Sequence, residues 1–509
     1  MKKLMTLALA AGMLLGAATG ASAIDFKAKG QWLMGFSAGD GSLVSHVKDN
    51  KASNHNKAAD TDDIFGASQR VRLQLDAVAS EALSGTVFFE IGDQVWGDND
   101  NGGALGADGK VVELKRAYID WMVPQTDLKV RMGIQGIALP SFTTNASQIM
   151  DDDVAAISLN YQFNENVGLT AFWARPYNDK SGYKWNGDKA GYQNYMDNMD
   201  MFAVMLPLTF DGVKVTPWVM YAAMGPGMFN EWKHPEDKTK KFSGGNAWTR
   251  ASNGLVSGFA GTDPLDTYGN AFWAGVTGEV TYWDPFRIAW DVNYGSAAYA
   301  DEKMNREGWL ASLLLEYKLD WGTPGLYGWY STGDDNNPRN GSERMPVVSA
   351  NGNNQFSNFA FNGNPYIARE GVLGSTMVGT WGIGARLKDV SFLEDLKHTL
   401  RVNFMGGTNA PKMAKYVSHT SFKAPASVTQ YGTSYDPMYL TTGDTALEIG
   451  LTNTYKMYDN FTVMLDAAYV ALWLDDSTST WGKNPGRSAL GGDGVYDAWN
   501  VNLSFVYSF

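Results

Sequence analysis

Tyr496-Asp-Ala-Trp-Asn-Val-Asn-Leu-Ser-Phe-Val-Tyr-Ser-Phe509 closes the chain, and its reading decides the fold. Trp499, Val501, Leu503, Phe505, Tyr507 and Phe509 share one parity. Ala498, Asn500, Asn502 and Ser504 take the other, which is small and polar apart from Val506. A period of two means a strand with one greasy face and one wet face. A strand ending free on Tyr507 and Phe509 fits poorly at the edge of a water-soluble sandwich. A closed barrel in lipid accounts for it: the apolar face meets acyl chains, and closure satisfies every backbone N–H and C=O.

The start of the chain agrees with its end. Lys2 and Lys3 precede an apolar run, Leu4 to Leu15, followed by Ala21-Ser22-Ala23. That pattern predicts a cleaved secretory signal over 1–23 and a single mature barrel over 24–509. Beyond it, no apolar run approaches the roughly 18 residues that a helical span needs. The chain has no cysteine, so an exported protein of this size relies on core or barrel closure rather than disulfides. A formal net charge of −13 argues against nucleic acid as a partner, which would demand clustered Lys and Arg.

The same alternation recurs throughout. It opens at Ile24, Phe26, Ala28, Trp32, Met34 and Phe36, and a long polar segment, 38–64, follows. The next strand, 65–79, sets Val71, Leu73, Leu75 and Ala77 against Arg70, Arg72, Gln74 and Asp76, and a short turn leads to 83–93. Further hairpins are predicted over 112–136, 154–175, 199–222, 268–295, 307–333, 377–406 and 446–472. Asp211-Gly212 supplies the sharpest turn signal. Eighteen strands result, joined by short turns and long connections in strict alternation; one misread hairpin would make the count sixteen or twenty. Short periplasmic turns, long outer loops and an even count belong to an all-β, antiparallel, up-and-down transmembrane barrel. The outward parities place Trp121, Tyr161, Phe163, Phe210, Phe286, Tyr317, Tyr455 and Phe461 near the short turns. Phe36, Trp173, Tyr221, Tyr294, Trp309, Phe404, Tyr469 and Trp499 fall near the long loops. Two such aromatic belts are expected at lipid headgroups.

With these features the chain resembles a trimeric Gram-negative outer-membrane porin, and most of all the homotrimeric porin family of sulphate-reducing bacteria. The carriers are the signal, Ile24-Asp-Phe-Lys-Ala-Lys-Gly30, Ser68-Gln-Arg-Val-Arg-Leu73, Lys115-Arg-Ala-Tyr118, Val130-Arg-Met-Gly133 and the terminal Phe509. The resemblance implies a homotrimer in the outer membrane, in contact with lipid and lipopolysaccharide, through which small hydrophilic solutes and ions diffuse passively. It also implies that Tyr507 and Phe509 resemble the signal read by the barrel-assembly machinery.

A barrel of this size leaves an aqueous lumen, and selectivity is set by the side chains at its narrowest height. The inward parity supplies a basic ladder: Arg70, Arg72, Arg116, Lys129 and Arg131, with Arg401 as a further member. The third outer connection, 137–153, ends in Asp151, Asp152 and Asp153. If it folds inward, an acidic loop opposite a basic wall sets up a transverse field. Tyr118, Phe172, Trp218 and Trp273 are inward aromatics, either an aromatic track for sugar rings or wall filler.

Asp98-Asn-Asp-Asn-Gly102 resembles half a calcium loop but has Gly109 where a bidentate Glu should stand. No cofactor is expected, unless the acidic outer loops (Asp60, Asp62, Asp63, Asp334, Asp335, Asp475, Asp476) bind divalent cations. Gly382-Ile383-Gly384 lies within a strand and opens no helix, so it is no phosphate loop. Of five histidines, His46, His55, His234 and His419 fall in outer loops and His398 near a turn, none beside a nucleophile motif, so no enzyme is expected. Three readings stand: a general diffusion porin, a channel specific for sugars or anions, and a non-channel structural protein with its lumen plugged from 223–267 or 334–376.

Overall fold

A computed structural model describes residues 24–40, 43, 64–99, 102–106, 112–178, 198–225, 232–233, 241–242, 254–257, 269–350, 354–361, 371–416, 438–482 and 497–509. The signal segment 1–23, His46, His55, His234, His419, Asp60, Asp62, Asp63, Asp100, Asn101 and Gly109 lie outside them.

Eighteen antiparallel strands close into one barrel. In chain order they are β1 (Asp25–Asp40), β2 (Ile64–Ser80), β3 (Leu83–Val95), β4 (Val112–Met122), β5 (Lys129–Ala138) and β6 (Met150–Gln162). β7 (Gly168–Asn178), β8 (Asn198–Met205 continued by Leu208–Phe210), β9 (Val213–Met224), β10 (Gly269–Val280), β11 (Phe286–Ala298) and β12 (Arg306–Tyr317) follow. β13 (Thr323–Ser331), β14 (Thr380–Leu393), β15 (Leu396–Gly407), β16 (Thr445–Tyr458), β17 (Phe461–Trp473) and β18 (Ala498–Ser508) complete the wall. All eighteen coincide with the strands that alternation predicts. β8 is interrupted at Pro207, which has no N–H to give the ladder.

The closing strand does what its pattern requires. β18 pairs with β1 from Asp40↔Trp499 to Gln31↔Ser508. Beyond the last pair, Gly30 and Phe509 exchange both backbone hydrogen bonds, at 2.9 and 3.0 Å. The Phe509 ring covers Gly30 and meets Trp32 at 5.3 Å between centroids. With the seam closed, the two end strands are paired to each other rather than left as free edges.

The outer face is apolar. Trp32, Met34, Leu75, Ile119, Met132, Ile157, Val204, Val276, Leu313, Leu400, Ile449 and Leu465 are exposed upon it. Rings cluster at strand ends, as in Phe286–Tyr317 (4.7 Å) and Tyr161–Phe163 (4.9 Å) near short turns and Tyr294–Trp309 (4.9 Å) near long connections. An apolar belt between two aromatic girdles, around a closed barrel, is the architecture of the outer membrane.

The lumen is not empty. Parts of the β5–β6 and β13–β14 connections run inside it and pack a core of Leu139, Ile149, Met345, Val347, Phe356, Phe361, Leu373 and Met377 against the inner wall. The two connections grip one another through Val348 N–H and Ser349 N–H, both donating to Ile149 O (2.9 and 3.0 Å). Gly382 and Gly384 face this crowded interior. A Cβ at either would stand 2.2 Å from the Trp329 ring or 2.4 Å from the Tyr327 ring.

Candidate functional site

The inward-facing ladder of β2 to β5 exists, but it is charge-paired. Arg72 Nε lies 2.6 Å from Glu90, and Arg70 3.4 Å from Asp93. Arg131 grips Asp120 with two hydrogen bonds, 2.6 and 2.8 Å, while Lys129 reaches the same carboxylate at 3.1 Å. The Arg131 guanidinium also lies over the Tyr118 ring, 4.0 Å from its centroid. Each acid stands on the strand next to its base, where cross-strand neighbours are in reach. The sequence supplies the cations by parity but also supplies Glu90 and Asp120 on the inward parity of their strands, while Asp93, of the other parity, meets Arg70 beside a register shift between Gln69 and Val71. The ladder residues of β2 to β5 are thus held in ion pairs with acids of the neighbouring strands.

A second row was not anticipated. On β9 to β14, Lys214 meets Glu279 at 3.0 Å, and Arg287 bridges Glu279 (2.7 Å) and Glu316 (2.8 Å). Arg386 meets the other Glu316 oxygen at 2.6 Å. Arg401 belongs to neither row. It donates to Gln355 O (3.0 Å), Asn358 Oδ1 (3.0 Å) and Thr452 Oγ1 (3.1 Å), so it holds a loop to the wall.

The segment 137–153 divides differently from the expectation. β5 runs on to Ala138 and β6 starts at Met150, because Ala138 to Gly136 continue the ladder with Asp151 to Asp153. The three aspartates are thus strand residues rather than a loop tip facing a basic wall. Asp153 instead binds Arg116 Nε at 2.5 Å and Lys115 Nζ at 3.1 Å, and Asp152 accepts from Ser349 Oγ at 2.7 Å. Lys115 escaped the parity reading because a bulge at Phe88/Phe89 shifts the β3–β4 register beside it.

The connecting residues do cross the lumen. Ser141 Oγ, Phe142 N–H and Thr143 N–H donate to the Asp291 carboxylate on β11 at 2.8, 2.9 and 3.1 Å, and the Thr143 hydroxyl joins them. Arg287 donates to Phe142 O at 2.8 Å. The β13–β14 connection has its own anchor. Glu448 Oε1 accepts from Ser357 Oγ (3.0 Å) and from the N–H groups of Asn358, Phe359 and Ala360 (2.8, 2.6 and 3.1 Å). Its other oxygen accepts from Asn403 at 2.8 Å. Asp291 and Glu448 carry much of this arrangement. The available signal was an acid on the inward parity, flanked by Ala289 and Asn293 on β11 and by Ala446 and Gly450 on β16.

The inward aromatics separate. Tyr118 stays beside the ladder. Phe172, Trp218 and Trp273 are buried beneath the inner core, and Trp273 Nε1 donates to Pro346 O at 2.9 Å. They form no line of open rings, because the loops occupy the space before them. His398 hydrogen-bonds Asn453 at 2.6 Å on the outward parity.

The acidic outer residues serve turns. Asp334 accepts from Tyr439 OH (2.8 Å) and Ser342, and Asp475 from Thr480 Oγ1 (2.7 Å). Asp444 collects Thr441, Trp481 and Asp475 N–H, and burial holds its carboxyl above the usual range. Asp98 sits in a backbone turn closed by Gly103 N–H to Asp98 O at 2.9 Å.

No family model and no curated protein matches the chain. The chain is similar to several solved structures. Pseudomonas aeruginosa OpdQ is 10% identical with a TM-score of 0.49, over 96% of this chain and 99% of that one. The outer membrane protein OprD from Pseudomonas aeruginosa is 8% identical at 0.48, over 97% and 96%. Acinetobacter baumannii OccAB4 is 10% identical at 0.47, over 96% and 100%. The fold stands on the chain's own strand pairing rather than on these scores.

Proposed function

We propose that the chain is an outer-membrane channel for small hydrophilic solutes, with its permeation path along the wall of β2 to β5. The observation that carries this is a contrast in exposure. Arg72, Lys115, Arg116, Lys129 and Arg131 keep 28, 28, 39, 40 and 30% of their side-chain surface, whereas Arg386 and Glu316 of the second row keep 2 and 7%; Arg70 (7%) in the first row and Arg287 (27%) and Lys214 (53%) in the second depart from this division. Charged side chains that stay wet inside a barrel imply water beside them. The loops anchored on Asp291 and Glu448 fill the other side.

The paired charges supply alternating donors and acceptors without a large net field. Such a surface suits solutes carrying both signs or several hydroxyls, and it discriminates weakly between cations and anions. The narrowing favours a channel selective by size and polarity over a wide diffusion pore. A homotrimer remains part of this reading, as the porin resemblance implies.

Liposome swelling with neutral, anionic, cationic and zwitterionic solutes of graded size tests it. The expected result is entry of small polar solutes with a sharp size limit and little preference for either sign of charge. Failure of every solute to enter, from correctly folded protein, would leave the structural reading.

A further inference from the structure

The ladder between β4 and β5 stops partway up the wall. It runs from Met122↔Lys129 to Ala117↔Ile134 and ends. Yet β4 continues to Val112 against β3, and β5 continues to Ala138 against β6. Residues 112–116 and 135–138 therefore flank a break in the barrel. For strands tilted about 40° it starts about 15 Å above the short turn, within the apolar band. Two local features leave it open. Lys115 is the unpaired extra residue of the β3–β4 bulge, and Gly136, exposed on β5, has no side chain to fill the space.

Charges run through this break from one face of the wall to the other. Glu90, on the lumen side beside Arg72, lies 3.9 Å from Lys115 Nζ, which in turn lies 3.1 Å from Asp153. Asp153 pairs with Gly136, and both share the outward parity of Met132, Ile134 and Ile157. Arg116 Nε binds the same carboxylate at 2.5 Å. The Arg116 guanidinium stands 5.6 Å from the centroid of the Phe88 ring, on the lumen side, and 3.1 Å from where a Cβ of Gly136 would stand, on the outward side. Among the described residues its two terminal nitrogens have no hydrogen-bond partner. Acyl chains offer none either. A fork of two N–H groups matches a carboxylate. Around it the outward Leu114, Ile119 and Ile134 present exposed apolar surface. Asp151, two residues along from Asp153 on the same face, offsets the second cation, which favours one negative charge over two.

Resting on the membrane-channel reading, we propose that the break is a side opening of the lumen that binds a long-chain monocarboxylate. The carboxylate accepts from the two free nitrogens of Arg116. The alkyl chain lies outside, along Leu114, Ile119 and Ile134, where the bilayer already provides an apolar surrounding. Lys115 and Asp153 carry the wet row of Arg72 and Glu90 into the opening, so the head group stays in contact with water while its tail does not. Polar solutes follow the lumen past the same residues, and only a molecule with a tail has reason to lodge in the wall.

The chain has no cysteine, so a single introduced thiol reports cleanly. In proteoliposomes, Gly136→Cys is expected to react with a charged, water-soluble thiol reagent, whereas Ile119→Cys, on the same outward face but within the paired ladder, is not. Ala138→Cys, two residues beyond Gly136 on that face, serves as a second reporter should Gly136→Cys fail to fold. Dodecanoate is expected to slow the modification about tenfold. Acetate and the uncharged dodecyl maltoside should leave it unchanged, and Arg116→Gln should abolish the protection. An unreactive thiol at both positions, as lipid or a second copy sealing the break would give, overturns the proposal. So do equal reactivity at Ile119→Cys, equal protection by dodecyl maltoside, and protection that survives Arg116→Gln. Conductance of the same samples reports on the channel reading separately: a conducting barrel that dodecanoate does not protect loses the side opening alone.

Discussion

Glu448 and Asp120 are the single residues on which most depends. Glu448 neutralises four donors of one loop turn, three of them backbone N–H groups, and is itself fully buried. Glu448→Ala leaves those donors unpaired and costs about 3 kcal/mol by analogy with other buried charged networks. Its expected signature is a lower unfolding temperature together with a larger conductance as the loop leaves the lumen; a lower temperature at unchanged conductance would detach the loop from the pore. Asp120→Asn removes the shared partner of Arg131 and Lys129 and should move the reversal potential in a salt gradient toward anion preference. No movement would mean that the ladder does not line the path.

Asp444 gives a pH signature. Burial raises its folded pKa above the usual 3.8, so its contribution to stability is full below that value and is lost as pH rises through the raised one. Asp444→Asn cannot titrate. The stability difference between native and variant protein should therefore shrink as pH rises through the acidic range, then level off. A difference independent of pH would contradict the assignment.

At the scale of elements, the seam and the inward connections behave differently as signals. The seam was legible: the parity of Trp499 to Phe509 and of Ile24 to Phe36 placed one apolar face on each end strand, and the two faces are continuous in the barrel. Gly30→Val tests it, since a side chain there meets the Phe509 ring at 2.5 Å and Arg72 O at 2.6 Å. The expected outcome is a barrel that no longer resists denaturing detergent at room temperature; retained resistance would mean that the terminal pairing is dispensable. The inward connections were illegible beyond their existence. Their course depends on Asp291 meeting residues 141–143 and on Glu448 meeting 357–360, contacts between segments far apart in sequence with no local period to announce them. Local irregularity hid more: a bulge put Lys115 out of parity, and continued pairing turned Asp151 to Asp153 from a loop tip into strand.

At the scale of the whole molecule, the barrel divides into a wet side and a packed side. Lipid outside and water inside impose period two on every strand, which is why strand count and outer face could be read from alternation alone. Nothing comparable marks which lumen charges remain paired or open. The central claim is that water runs along β2 to β5 between paired charges. Single-channel recording in a planar bilayer, in potassium chloride and under a salt gradient, tests it most directly. The account predicts discrete conductance steps of modest size with a reversal potential near zero. Folded, detergent-resistant barrels that give no steps would contradict it.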